Sequence, residues 1–486
     1  DAALPRDLLI PALVRAGRIR DLTAALDGPN WEGDARWRDT FLPGALDGWR
    51  IDGRPYGLPL GYSCWTLFYN RALFRAHGWK EPRTWDEFFA LCGRIKAAGL
   101  APLSLTGIYG NYPDALLRAA YYNLAGAPGW RALNALAPGA RTDPRYLRAA
   151  GVLQRIARED TLRGWEGSTH TAAQLALLEG RSAMTVSGSW MISEMGDRIP
   201  PGFELGVMNF PVFPEGVADP TTLQAGADNF FLFATGDPER ERLTVDFLRF
   251  LTSRERAAAF VRELDAPVAV RGVPLDAFSP RMRPTAALIA HAGDSFNMPQ
   301  VMLQPPAIRQ ALVDERLALM AGRITPAQFG ERLESAAAAD RARAAAPDAV
   351  SYRHPVAGTL LLVALAGLAA WLLRPGRGGM ARALAAADPR AASFFGRLTP
   401  GMAAGFVGPA LFLYAALVLA PCAAAVAWAF THWDGLGPRR WAGLFNFKWL
   451  LFESDLFWAA LRNNAFLMVV PAVVVLPVAL LFAYLL

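Results

Sequence analysis

Flat side chains stand beside loops at several places in the first 350 residues. They are Tyr62 and Trp65 in GYSCWTLFYN, Tyr109 and Asn111 in TGIYGNY (Asn111 as its polar neighbour), Trp165 in RGWEGSTH, and Trp190 at the end of GRSAMTVSGSW. Trp190 is the most telling, because it follows a Ser-Gly-Ser turn that offers little hydrophobic cover. A sugar ring presents an apolar CH face and a rim of hydroxyls, so a site for one needs aromatic faces together with amides or carboxylates for the rim. Asp228 and Asn229, in LQAGADNFFLF, offer such a pair. Each ring taken alone also fits core packing. For Tyr62 and Trp65 the two readings balance, whereas the turn before Trp190 favours a ligand.

Groups that would do covalent or acid–base work are not arranged for it. No lysine is followed by Ser or Thr, which excludes a Walker A phosphate loop. There is no HExxH and no GxSxG, and the histidines at 77, 170, 291, 354 and 432 lack metal-ligand spacing and read as surface or capping residues. The expectation is a binding protein and not an enzyme, with no catalytic residue, no metal and no cofactor. The formal charge of +6 comes almost wholly from arginine, since lysine stands only at Lys80, Lys96 and Lys448. These arginines are spread evenly, with no basic tract or recognition helix, so no nucleic-acid partner is expected. Cys64, Cys92 and Cys422 show no CxxC spacing, and a Cys64–Cys92 disulfide is left open.

The elements behind these residues fall into two kinds. A chain of 486 residues is long enough for two or more domains. From residue 1 to about 350, amphipathic helical runs alternate with short apolar strands, which implies an α/β layered fold binding ligands at the carboxyl ends of strands. Thr84 caps a helix through Ala98 with Asp86 and Glu87 in its first turn, and Gly99 stops it. Residues 100–107 read as a strand entering a loop, 151–160 as a helix, 230–234 as a strand, and 238–252 as a helix with Asp237 at its start. Beyond an Ala/Arg-rich linker the composition changes, and the mean hydropathy of +0.19 is concentrated there. Val356–Leu373 is uncharged, and about 18 residues at about 1.5 Å each come close to a bilayer core. Further apolar runs cover Ala403–Phe430 and Ala465–Leu486, so three membrane spans are expected. Five arginines against one acid in 374–397 suggest a cytoplasmic loop, although Arg439, Arg440, Lys448 and Arg462 narrow the contrast; residues 1–350 are placed outside. Asp1 in place of Met, and an end in mid-run at Leu486, suggest a fragment at both ends.

The stretch DGRPYGLPLGYSCWTLFYNRALFRAHGWKEPRTWDEFFALCGRIKAAGLAPLSL resembles the extracytoplasmic carbohydrate-binding proteins of ABC importers, with their YGLP, YN and TWDEF in order. AQLALLEGRSAMTVSGSW is similar to that family's segment ending G.W, and VDFLRFLTSRERAAAF to its FLTS helix. The resemblance covers residues 1 to about 340. It implies a two-lobed, periplasmic-binding-protein-like α/β domain, truncated at its N-terminus by about two strand–helix units, that closes on a mono- or oligosaccharide. Trp190 would then align with a tryptophan that stacks on ligand in maltose-type members, and Tyr109 and Asn111 would lie in a loop carrying rim and stacking contacts. Around MPQVMLQPPAIRQALV a second stacking tryptophan of those members has no counterpart, which speaks against maltose.

GPALFLYAALVLAPCAAAVAWAFTHWDG and RRWAGLFNFKWLLFESDLFWAALRNNAFL resemble the start of MalF-type sugar permeases, with Phe445, Phe447, Trp449 and Trp458 suited to a membrane interface. Together the two resemblances imply a binding domain over residues 1–350, a transmembrane helix with a cytoplasmic linker over 351–397, and the first two permease helices over 398–486. The expected protein is a multi-pass subunit of a carbohydrate importer in the bacterial inner membrane, with its binding domain extracytoplasmic. Its partners would be the saccharide, membrane lipid, a second permease subunit and cytoplasmic ATPase subunits. The alternative is a membrane-anchored sugar-sensing receptor that does not transport.

Overall fold

The computed structural model describes residues 2–3, 10–297, 304–372, 400–433 and 438–485. The chain divides into two compact units, Asp1–Ala345 and Ala346–Leu486. The arginine-bearing linker 374–397 and most of the MPQVMLQ segment lie outside the described residues.

The first unit is built on a seven-stranded sheet: β1 (Ala2–Ala3), β2 (Gly57–Asn70), β3 (Ala101–Ser104), β4 (Ser182–Gly188), β5 (Leu205–Met208), β6 (Leu223–Leu232) and β7 (Ser295–Asn297). Its path runs β1-β6-β2-β4-β3, with β5 joined to β2 and β7 to β6. The long strand β2 is the axis. It lies antiparallel to β4, pairing Trp65 with Gly188, and antiparallel to β6, pairing Trp65 with Gln224 and Tyr62 with Ala227.

Successive residues of a strand point to opposite faces, and β2 uses both faces for cores. Trp65, Leu67 and Tyr69 belong to one hydrophobic cluster, while Leu58, Tyr62, Cys64 and Phe68 belong to another. The first cluster is completed by α1 (Trp85–Ala97), the long α2 (Asn111–Asn134) and α3 (Pro144–Glu159). The second takes Leu248 from the helix Pro238–Leu251 and Ala257 and Val261 from Arg254–Leu264. The same alternation decides the cysteines: Cys64 faces one core and Cys92 the other, and both are free thiols. Burial pushes the Cys64 thiol up to about 12, so it remains a small apolar side chain.

Local chemistry sets the helix ends. Thr84 Oγ1 accepts from Glu87 N at 3.2 Å while the Glu87 carboxylate reaches back to Thr84 N at 3.3 Å, a complete capping box at the start of α1. Gly99 follows that helix at φ +78°. Asp237 accepts from Glu239 N and Arg240 N at the head of Pro238–Leu251. Within α2 the chain breaks at Gly126, with φ 61° and ψ −170°, two residues before Pro128.

The second unit is built from long apolar helices: Pro355–Leu372, Pro400–Tyr414 continuing through a π turn into Ala420–Trp428, and Asp455–Leu485. Two segments, Val407–Trp428 and Asp455–Leu485, are long and apolar enough to cross a membrane, whereas Pro355–Trp371 is shorter. Among the described residues, then, two of the three segments read as spans from the sequence meet the length requirement. Within this unit the start of Pro355–Leu372 is tied to the start of Asp455–Leu485. Asp455 takes Arg353 Nη1 at 3.0 Å and His354 Nε2 at 2.7 Å, and Ser351 N donates to Glu453 at 2.8 Å. Asn446, in the short helix Phe445–Phe452, donates to the carbonyls of Ala429 and Thr431 at 2.9 and 3.0 Å. The head of the first apolar helix, the tail of the second and the head of the third therefore share one end of this unit.

Candidate ligand-binding site

Two short helices flank β4: α4 (His170–Leu178) before it and α5 (Met191–Met195) after it, and Trp190 lies at the junction of β4 and α5. Its indole folds back over Gly188: a Cβ there would lie 2.0 to 2.3 Å from three ring carbons. The Ser-Gly-Ser turn therefore makes room for the ring by removing a side chain beneath it. Ser189 fixes the turn by donating its backbone N–H to Cys64 O at 2.9 Å and accepting from Cys64 N through Oγ at 3.3 Å. Two rings hold the indole edge-on. Trp65 lies 4.8 Å away at 90° and Tyr112 6.3 Å away at 84°, and Trp65 and Tyr112 meet each other at 5.0 Å and 85°. Such T-shaped contacts are worth about 0.5–1.5 kcal/mol each beyond area burial. Trp190 Nε1 donates to Tyr112 Oη at 3.3 Å.

A polar group joins this aromatic cluster. His170, the first residue of α4, stacks on Tyr112 at 5.4 Å and meets Tyr109 edge-on at 4.7 Å. Its Nε2 lies 2.8 Å from Glu194 Oε1, and Gln174 Nε2 donates to Glu194 Oε2 at 2.9 Å and to Ser187 Oγ at 3.0 Å. Because a carboxylate only accepts, the proton sits on Nε2, and His170 Nδ1 is left buried without a partner. Burial pushes the Tyr112 phenol up to about 12, so it acts as a neutral hydrogen-bonding group.

Of the residues expected at a site, Trp65, Tyr109 and Trp190 are brought into this one cluster. Trp190 is half-buried and Tyr109 is 46% exposed, whereas Trp65 is only 5% exposed and serves as a wall of the core. Asn111 is exposed at the start of α2, beside Tyr112, and its carbonyl accepts from Arg118 at 2.9 Å. Tyr62 faces the other core: it is three residues from Trp65 on one strand, so the two point oppositely. Trp165 is buried and its carbonyl binds Gly107 N at 2.7 Å. Asp228 and Asn229 also point to opposite faces of β6. Asp228 is exposed, while Asn229 is buried and spends its amide on Ala227 O at 2.6 Å. They sit four and five residues along β6 from Gln224, the partner of Trp65, or about 13 Å or more from that level. Ile308, in the aliphatic stretch, is buried in the first core. Tyr112, His170, Gln174 and Glu194 were not among the expected residues. Helical spacing offers the one signal for them, with His170 and Gln174 four apart and Trp190 and Glu194 four apart.

Two cores lie on the faces of shared strands, and a half-buried aromatic cluster edged by hydrogen-bonding groups stands at the end of β4. The chain belongs to the bacterial extracellular solute-binding protein family, whose sequence profile matches residues 3–258. It is similar to the multiple sugar-binding protein of Streptococcus mutans, at 25% identity over 48% of this chain and 55% of that protein. It is also similar to the sn-glycerol-3-phosphate-binding periplasmic protein UgpB of Brucella abortus, at 26% identity over 44% and 49% respectively. The chain spans about half the length of these curated relatives. Among solved structures, the bacterial solute receptor AcbH, described as preferring b-D-galactopyranose, aligns at 20% identity over 70% of this chain and 84% of that one, with a TM-score of 0.58. The two-lobed periplasmic-binding-protein-like fold expected from the sequence is thereby established.

Proposed function

We propose that the first unit binds a neutral saccharide outside the cytoplasm and delivers it for import by an ABC transporter. The observation that carries this reading is the indole of Trp190, presented over Gly188 and braced edge-on by Trp65 and Tyr112. A braced, half-buried ring offers a flat apolar surface at little entropic cost to ligand binding. His170, Glu194 and the exposed Tyr109 stand at its edge as hydroxyl partners. Closure of the two lobes on the sugar would change the surface offered to a membrane partner.

The curated relatives divide between sugar and sn-glycerol 3-phosphate. Glu194 favours the first, since a carboxylate beside the platform repels a phosphate dianion. The residues 346–486 are read as a tether and the beginning of a MalF-type permease. Support comes from the two exposed apolar helices and from the shared end at which Arg353 and His354 meet Asp455. That arrangement suits helices that alternate in direction across a bilayer, with the binding domain attached on the side of residue 350. Tethering through tens of residues raises the local concentration of binder at its permease to about the millimolar range. A second permease subunit and cytoplasmic ATPase subunits would complete the importer.

Titration calorimetry of the full chain in detergent tests the ligand class with galactose, raffinose, a chitin oligosaccharide, maltose and sn-glycerol 3-phosphate. Saturable binding of a neutral saccharide with none of glycerol phosphate is expected; the reverse pattern would remove the reading.

A further inference from the structure

The loop that presents Tyr109 is clamped from two sides. On one side Gly107 N donates to Trp165 O at 2.7 Å, Thr106 Oγ1 donates to Ser168 O at 2.6 Å, and Tyr109 N donates to Thr106 Oγ1 at 3.2 Å. A Cβ at Gly107 would overlap the Glu166 backbone, so the exit from β3 lies directly against residues 165–168. On the other side stands a side chain from a helix far along the chain. Like Arg118 and Arg141, Arg316 is buried; it projects from the helix Pro306–Met320, and a Cβ at Gly110 would overlap its Cζ and both Nη atoms. The guanidinium therefore occupies the space that any other residue at position 110 would need. Between the two clamps Ile108 and Tyr109 stand exposed, and Tyr109 meets His170 edge-on beside the platform.

The guanidinium is itself held in place. Its Nη1 donates to Asp114 Oδ2 at 3.1 Å, and Asp114 sits in the first turn of α2 with its backbone N–H on Gly110 O at 3.1 Å. The helix that carries Arg316 is anchored in the first core by Ile308, Leu319 and Met320. A planar guanidinium in such a pair is a preorganised group, and a buried pair adds little net stability because desolvation offsets most of the attraction. Its remaining effect is geometric: it sets how far the backbone at Gly110, and with it Tyr109, can sink toward the core. Gly110 has φ −59° and ψ −22°, which any residue adopts. Close approach of Arg316, and not backbone freedom, is what calls for glycine there.

We infer that Arg316 is a positioning residue of the solute site, fixing the loop that sets Tyr109 at the edge of the Trp190 platform. The inference rests on the proposed saccharide site, to which it adds a side chain that acts through Tyr109 and not on the solute.

Titration calorimetry of the full chain in detergent tests this with raffinose, galactose, a chitin oligosaccharide and maltose, on wild type, Tyr109→Ala, Arg316→Met and the double variant. The sugar that wild type takes should bind about tenfold more weakly to Arg316→Met, and the double variant should be no weaker than Tyr109→Ala alone. Should Arg316→Met fail to fold, Gly110→Ala, alone and with Tyr109→Ala, carries the same comparison from the loop side, since its methyl group meets the guanidinium. Wild-type affinity in Arg316→Met, or in Gly110→Ala where that variant stands in, overturns the assignment. So does a loss that persists in full once Tyr109 is alanine, which would make Arg316 a direct contact or a general part of the fold. A wild-type chain that takes none of the four sugars is a separate failure: it removes the proposed saccharide site, and the assignment with it.

Discussion

The two units spend the same apolar residues in opposite ways. In the first, α3 turns Val152, Leu153 and Ile156 inward and leaves its arginines at the surface, as an amphipathic helix in water must. In the second, Leu467, Val473 and Leu480 all lie exposed around Asp455–Leu485, which carries no polar stripe to match. A helix apolar on every side satisfies its own backbone and asks for hydrocarbon around it. The contrast teaches that apolar exposure is absent from the inward face of α3 and continuous along Asp455–Leu485, as the proposed membrane placement of the second unit requires.

Substitutions can break that contrast. Phe88 is fully buried in the first core, so Phe88→Ala should cost about 3–5 kcal/mol in denaturant unfolding of the first unit while leaving membrane association unchanged. In the other half, Val474→Arg should penalise insertion by about 2.5–3.5 kcal/mol in a translocon assay. The same change at Val217, exposed on the first unit, should stay within about 0.5 kcal/mol of wild type in unfolding. Equal effects at the two valines would mean that both halves face water. Thr84→Ala, which removes the capping box of α1, should cost about 0.5–2 kcal/mol.

The smallest expected effect is a pH dependence. The Arg20 side chain, aided by the N–H groups of Thr235 and Gly236, pulls the Glu241 carboxyl from 4.5 to about 2. A depressed carboxylate contributes stability that is present above 4.5 and lost as pH falls from there through 2. Glu241→Gln should therefore flatten part of the acid limb of the melting temperature between those values, and a limb of unchanged slope would show that the exposed pair does little.

Much of the scaffold was legible because it is local. The Thr84–Glu87 cap, the glycine stop at Gly99 and the Asp237 cap each depend on residues within four positions. Trp190, where a turn and a bulky ring adjoin, and Tyr109 stood out in the sequence, and the fold brings them into one aromatic cluster. The opposite facing of Tyr62 and Trp65 was not legible. A strand buried on both faces shows no alternation, so GYSCWTLFYN reads as aromatics near a loop when it is the C-terminal part of β2. The divergence of Asp228 and Asn229 was hidden for a related reason: they look like a pair in sequence, but neighbours on a strand face opposite sides. The polar group that does meet the platform joins His170 to Glu194 across 24 positions and a strand, a distance no local pattern spans. The buried arginines were equally hidden, because evenly spread basic residues give no hint of which ones turn inward.

On the proposed function, the solute lies on the face of Trp190. Calorimetry with the saccharide that binds the wild-type chain, repeated on Trp190→Ala alongside its unfolding curve, tests this most directly. The expected result is an affinity reduced by about tenfold or more, equivalent to about 1.4 kcal/mol or more, with a loss of folding stability limited to the lost edge contacts, about 1–2 kcal/mol. Unchanged affinity together with a core-sized unfolding penalty would assign the ring to the interior and contradict the account.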